Sequence, residues 1–161
     1  MRFKAEVDLR AKEAERDLIE AVQTGYTLQI ERNAGENKTY LWRGLLKNGR
    51  RDGLWIGQCD GFCTSTEYAD GTETGYRIRW NYPWREPLVA MSMCEGKLHG
   101  YWVNYGIKYE SVREFEYGVH KRELSPSERK PIMESVRKQA DRCFAEMLRI
   151  LRSDPPPPTD Q

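Results

Sequence analysis

A nine-residue pattern that occurs twice constrains the fold of this chain more than any other feature. It spans residues 47–55 and again 94–102, and both copies read x-polar-Gly-basic-x-polar-Gly-x-Trp. A weaker copy keeps Gly71 and Gly75 without the Trp, and a fourth keeps only Gly118. The first glycines of the four units stand 22, 25 and 22 residues apart. A recurrence in this range is typical of repeat architectures, in which each unit is one supersecondary element.

The paired glycines predict hairpins. Glycine is suited to tight turns between two strands, where positive φ or a close backbone approach is needed. A single hairpin cannot bury large side chains, so stacked hairpins must share one face. The pattern predicts an antiparallel meander from about Tyr40 to Glu123, and an alternating strand over 26–32 extends the repeat sheet to 26–124. The residues assigned to the repeat are Gly49, Gly53, Trp55, Gly71, Gly75, Gly96, Gly100, Trp102 and Gly118.

Two amphipathic helices are predicted to flank the sheet. The first spans 6–24, where apolar residues recur at three- and four-residue steps before Gly25. The second spans 130–152, after a Ser-x-x-Glu helix entry at Ser125, and its broad apolar stripe should pack on the sheet, on the first helix or on a second copy of the protein. The Pro-rich segment 155–161 is predicted to be disordered. We therefore expect one α+β domain over residues 1–154.

The charge balance argues against a partner recruited by a global electric field. The chain has 26 basic and 25 acidic residues among 161, so nucleic acid and anionic lipid are not attracted by net charge. The sequence contains no apolar run near the length that spans a bilayer. We expect a cytoplasmic protein, and a lipid-associated scaffold is the third alternative.

No sequence motif indicates catalysis, a metal or a cofactor. Signatures of nucleotide-binding loops, nucleophile elbows and zinc proteases are absent. Cys59 and Cys63 with Cys94 offer three soft ligands, but one C-x3-C pair alone is weak support for zinc, and free cysteine commonly packs as a small apolar residue. His99 and His120 occupy turn positions that hold other residue types in other units, which argues against a general base.

The segment between the weaker copy and the second full copy carries the candidate partner-binding residues. It is three residues longer than the other intervals and contains two prolines, so part of it should protrude from the sheet. Tryptophan, tyrosine and arginine dominate protein-binding hot spots, and the same mixture can also stack nucleic-acid bases. The simpler alternative is that Trp80 and Trp84 cover one end of the core. The candidate residues are Arg77, Arg79, Trp80, Tyr82, Trp84 and Arg85.

The repeated units resemble MORN-repeat proteins, and more closely the antitoxin-like bacterial variant with units of the form Asn-Gly-Lys-x-x-Gly-x-Trp. The matching positions are Asn48, Gly49, Arg50, Asp52, Gly53 and Trp55, followed by Glu95, Gly96, Lys97, His99, Gly100 and Trp102. The resemblance covers residues 46–122, about half of the chain. It departs from the family pattern after the Trp, where the usual aromatic cluster is reduced to Tyr105, and in the inserted segment with Trp84.

The resemblance implies an elongated sheet of hairpins that serves as a binding scaffold. The expected function is to bind another protein, such as a host effector, toxin or enzyme, and to inhibit or scaffold it, as an antitoxin, immunity protein or phage-encoded anti-defence inhibitor does. The alternative function is a nucleic-acid or nucleotide binder that uses the aromatic and arginine residues. A homodimer through the C-terminal helix is a further expectation.

Overall fold

The computed structural model describes residues 26–33, 35, 37–59, 62–81, 86–106 and 109–152. Three sequence predictions therefore lie outside the described residues. These are the helix over 6–24, the tail over 155–161 and the protruding part of the inserted segment, with Tyr82, Trp84 and Arg85.

The described chain forms one nine-stranded antiparallel sheet in which every strand pairs with its neighbours in sequence. This order confirms the predicted meander, which begins at β1 and ends at β9. The strands are β1 (Thr27–Asn33), β2 (Lys38–Lys47), β3 (Arg50–Cys59), β4 (Phe62–Ala69), β5 (Thr72–Asn81), β6 (Pro87–Cys94), β7 (Lys97–Asn104), β8 (Ser111–Glu116) and β9 (Val119–Glu123).

Four two-residue turns connect hairpin strands at the same end of the sheet's strands. Each turn ends on the first glycine of a repeat unit. The turns are Asn48-Gly49, Asp70-Gly71, Glu95-Gly96 and Tyr117-Gly118. Both residues of each turn have positive φ, from 43° to 86°, as expected when turn geometry must match the right-handed twist of the strands. Glycine adopts this conformation without steric cost, which explains its recurrence.

Backbone hydrogen bonds link each of the last three turns to the hairpin before it. The Gly71 amide donates to the Arg51 carbonyl at 2.9 Å, and the Gly96 amide donates to the Glu73 carbonyl at 3.0 Å. The Gly118 amide donates in the same way to Leu98 at 2.7 Å. Each acceptor lies two residues after the previous turn glycine, so the repeat in sequence is also a repeat in hydrogen bonding.

The second glycine of each of the first three units lies at a bulge. Leu45 pairs with Asp52 and Arg43 pairs with Ile56, so β3 holds three residues between these pairs where β2 holds one. Gly53 is among the three, at φ +72°. Equivalent bulges in β5 and β7 contain Gly75 and Gly100. Such bulges bend the strand and increase its twist.

The C-terminal helix α1 spans Pro126–Leu151 and begins four residues before the predicted start at 130. Ser125 and Glu128 form a reciprocal capping box, and Pro126 takes the first helical position, where a missing amide costs no hydrogen bond. At the other end, the Arg43 side chain donates to the Leu151 carbonyl at 3.1 Å. Each end of α1 therefore has at least one side-chain hydrogen-bond partner.

One cross-strand row of side chains, the core row, forms the surface on which α1 packs. Its members pair in register from β3 to β8, and each is 0% exposed. They are Ile56, Ser65, Ile78, Ala90, Val103 and Val112. The buried side of α1 supplies Met133, Val136, Ala140, Met147 and Ile150 to the same core. The apolar stripe of α1 thus packs on the sheet, and a dimer through α1 stays a prediction.

Candidate functional site

A second cross-strand row lies directly beside the core row and points to the other side of the sheet, because successive side chains of a strand alternate between faces. It also runs from β3 to β8 in register. Its members are Trp55, Thr66, Arg77, Met91, Trp102 and Arg113. We call this side, away from α1, the open face. Three of these residues stand six positions after the first glycine of a repeat unit: Trp55, Arg77 and Trp102.

Arg51 is the centre of an aromatic cluster on the open face. Its guanidinium carbon lies 4.5 Å from the ring centre of Trp55, 5.0 Å from that of Trp42 and 5.4 Å from that of Tyr68. The guanidinium donates twice to the Gln29 amide oxygen, at 2.8 and 3.0 Å, and once to the Tyr68 hydroxyl at 3.0 Å. Stacking and hydrogen bonds together hold its plane in one orientation.

The two tryptophan rings beneath Arg51 rest on glycines. A Cβ atom on Gly44 would lie 2.4 Å from the Trp55 ring, and one on Gly57 would lie 2.9 Å from the Trp42 ring. Any residue with a Cβ atom at either position would clash with the tryptophan ring. The Trp55 indole also donates to the Leu45 carbonyl at 2.9 Å. The rings are therefore packed between backbone and guanidinium.

Two more arginines extend the cluster along β5. Arg77 forms an ion pair with Glu73, with its Nε donating to the carboxylate at 2.9 Å. Arg79 lies over the Phe62 ring, 4.2 Å from its centre, and is exposed. These arginines are two residues apart on one strand, which places both on the open face.

A cavity of about 660 Å³ lies over this part of the open face. Among the described residues, three arginines and two glutamates line it, together with aromatic and small side chains. Of the two glutamates, Glu31 accepts a 2.8 Å hydrogen bond from the Trp42 indole and Glu73 holds Arg77. The lining residues from strands β1 to β5 are Glu31, Tyr40, Trp42, Arg51, Thr64, Tyr68, Thr72, Glu73, Arg77 and Arg79, and Met91 comes from β6.

The structure separates the predicted partner-binding residues. Arg77 and Arg79 lie on the open face and both line the cavity. Trp80 is 1% exposed, and its indole donates to the Ser65 hydroxyl at 3.0 Å. Its ring lies 5.5 Å from that of Phe144 on α1. Trp80 is therefore a core residue, as the alternative interpretation of this segment held, and is not available to a partner.

Three residues that line the cavity, Trp42, Arg51 and Tyr68, were not predicted from the sequence as site residues. Arg51 and Tyr68 stand at repeat positions, two residues after Gly49 and three residues before Gly71. Trp42 lies outside the repeat unit on β2. The period-2 alternation of side chains within β2 to β5 is the sequence signal that indicates which of these residues share a face. It does not predict the contact of Arg51 with Gln29 on β1, which joins residues 22 positions apart.

Cys63 and Cys143 pack in the core, and His99 contacts the turn at Tyr117. Burial, with a smaller effect of the neighbouring Cys143, raises the pKa of the Cys63 thiol to about 12. Burial likewise raises the pKa of Cys143 to about 11. His99 accepts a hydrogen bond from the Tyr117 amide at 3.1 Å, and its ring stacks on that of Tyr117. All four cysteines are free thiols, and within the described ranges no three metal-ligating side chains cluster.

Comparisons with known proteins do not assign the chain to a group. No protein-family model, curated protein or solved structure matches it. In the part of the chain that the structure describes, no helix combines the length and apolar character required to cross a bilayer.

Proposed function

We propose that this protein is a non-enzymatic scaffold that binds another protein through the open face and thereby inhibits or scaffolds that partner. The observation that carries the proposal is the cavity on the open face, where stacked arginines and aromatic rings line one surface. Arginine, tryptophan and tyrosine supply most of the binding energy at protein interfaces. The resemblance to antitoxin-like MORN proteins supports the same class of function, including an antitoxin, immunity or anti-defence role.

Arginine side chains on the open face are already held in place before a partner binds, and this also favours binding. Long side chains lose conformational freedom when a partner immobilises them, which costs roughly 0.5–1.5 kcal/mol each. Arg51 is already held by Gln29 and Tyr68, and Arg77 by Glu73. Much of that cost is therefore met when the protein folds.

Binding of nucleic acid is the second candidate, because aromatic rings and arginines on an open sheet face can stack bases. The structure favours a protein partner, since the rings of Trp42 and Trp55 lie between glycine backbone and Arg51. Arg79 lies in the same way over Phe62. A base would have to displace these guanidinium groups.

A cavity-filling variant tests the proposal without changing charge. Thr64 is half-buried and lines the cavity on strand β4. We expect Thr64→Tyr to reduce capture of a specific protein from nuclease-treated lysate of the source organism by at least about tenfold, a loss equivalent to roughly 1.4 kcal/mol. Quantitative mass spectrometry of the captured proteins measures this.

The matched control adds the same ring elsewhere. Ser135 is exposed on α1, on the other side of the sheet, so Ser135→Tyr should capture the partner as the unsubstituted protein does. Equal capture by Thr64→Tyr, or capture that disappears on nuclease treatment, would contradict the proposal. The second result would favour nucleic acid.

A further inference from the structure

We propose that the cavity on the open face recognises an acidic segment of the partner protein, with carboxylate groups bound by Arg51 and Arg79. This inference rests on the proposed function and specifies the chemistry of the partner. Its basis is that these two arginines border one cavity and have no carboxylate partner within the described residues.

Arg51 carries a half-buried charge that only neutral groups contact in the described part of the chain. Three of its N–H groups donate to the Gln29 amide oxygen and the Tyr68 hydroxyl. A guanidinium group has five N–H donors, so two remain for a ligand. Removing a charge from water is unfavourable unless an opposite charge compensates for it. A bound carboxylate would provide that compensation and accept the remaining donors.

Among the described residues, none takes a hydrogen bond from the Arg79 side chain, so its full set of donors is left for a ligand. Its guanidinium lies over the Phe62 ring and makes no hydrogen bond or ion pair with another described residue. Stacking leaves the N–H edge of the group free, and this planar edge matches the two oxygens of a carboxylate. Arg79 is therefore oriented for an acidic ligand without being neutralised.

The acidic residues of the cavity do not occupy these arginines. Glu31 accepts from the Trp42 indole, and Glu73 is paired with Arg77. The described lining residues, three arginines against two glutamates, give the cavity a small positive charge. This balance suits a ligand with one or two carboxylates, whereas phosphate chains draw their affinity from many positive charges at once.

A selection from a library of short random linear peptides tests the inference directly. The unsubstituted full-length protein is the target, and selected peptides are resynthesised and titrated against it. We expect the selected peptides to be enriched in Asp and Glu. Replacing their Glu by Gln and their Asp by Asn should weaken binding at least about tenfold, the change expected when one charged partner is lost.

Two arginine variants localise the effect. Arg79→Glu should weaken binding of the same peptides at least about tenfold, because a like charge then faces their carboxylates. Arg137 is also exposed and also lies over an aromatic ring, that of Tyr105, but on the α1 side of the protein. Arg137→Glu should bind the peptides unchanged. If Arg79→Glu does not fold, Arg79→Gln replaces it and should still weaken binding.

Three outcomes would overturn the inference. One is selected peptides that lack acidic residues, and another is acidic peptides that bind Arg79→Glu as tightly as the unsubstituted protein. The third is an oligothymidylate that competes with the peptides and whose affinity falls steeply with salt, since this would identify phosphate as the ligand. Non-acidic peptides whose binding Thr64→Tyr abolishes would leave the proposed function intact and reject only the acidic specificity.

Discussion

Thr66 carries a buried hydroxyl group in the row of side chains on the open face. It stands between Trp55 and Arg77 in the open-face row and is 1% exposed. Its hydroxyl is buried and has no hydrogen-bond partner among the described residues. A buried, unpaired polar group costs about 1–3 kcal/mol of stability. The position therefore combines the right shape for a strand with an unfavourable polar atom.

Removing this hydroxyl should stabilise the protein. Valine keeps the branched shape of threonine and suits a strand, so we expect Thr66→Val to raise the free energy of unfolding by about 1 kcal/mol. Urea unfolding measures the change. Thr64→Val, at a half-buried position two residues away, should stay within about 0.5 kcal/mol of the unsubstituted protein. A loss of stability in Thr66→Val would show that the hydroxyl has a partner.

At the scale of one element, α1 depends on its N-terminal cap. Glu128 accepts from Ser125 within the capping box, and Arg122 of β9 donates to the same carboxylate at 2.6 Å. Hydrogen bonds from Arg122 first, and then from Ser125, lower the pKa of Glu128. The contact also ties the start of α1 to the last strand of the sheet.

The lowered pKa sets the sign of a pH effect. Glu128 stabilises the folded state while it is ionised, so its contribution is present above the ordinary pKa of a glutamate and is lost as pH falls through the lower folded value. We expect Glu128→Gln to have a lower Tm than the unsubstituted protein at neutral pH.

Thermal unfolding from neutral pH to about pH 3, below the usual glutamate range, follows this difference. The two Tm values should converge at the acid end. Glu134→Gln, exposed further along α1, serves as the control and should change Tm little across the range. A constant difference between Glu128→Gln and the unsubstituted protein would contradict the assigned role of the carboxylate.

At the scale of the whole molecule, the sheet separates the core from the proposed binding face. The core row and α1 fill one side, with Ser65 and Ala90 small enough to let the helix approach. The open face carries the arginines and aromatic rings of the cavity. Adjacent residues of one strand can therefore have unrelated roles.

Neighbouring substitutions on β5 should show this separation. Trp80→Ala removes a ring that packs on Phe144 and an indole that donates to Ser65, so we expect a loss of about 3–5 kcal/mol in the free energy of unfolding. Arg79→Ala alters an exposed side chain and should change that free energy by less than about 0.5 kcal/mol. Denaturant unfolding of both variants compares them. Similar losses in the two variants would contradict the assignment of separate faces.

The sequence alone determined the course of the chain through the sheet. Gly49, Gly71, Gly96 and Gly118 mark turns that require positive φ, and this steric demand is local, so their spacing predicted the hairpins and their order. The helix entry at Ser125 was visible for the same reason, although the start of α1 was predicted four residues late.

Only the tertiary structure decided what each face of the sheet does. Alternation along β5 implies that Arg79 and Trp80 point to opposite sides, but it does not say which side α1 covers. That choice depends on packing between residues far apart in the chain, such as Trp80 with Phe144 and Arg51 with Gln29. Local steric rules act within a few residues and therefore predict turns, whereas the proposed binding face depends on contacts that exist only once the sheet and helix have assembled.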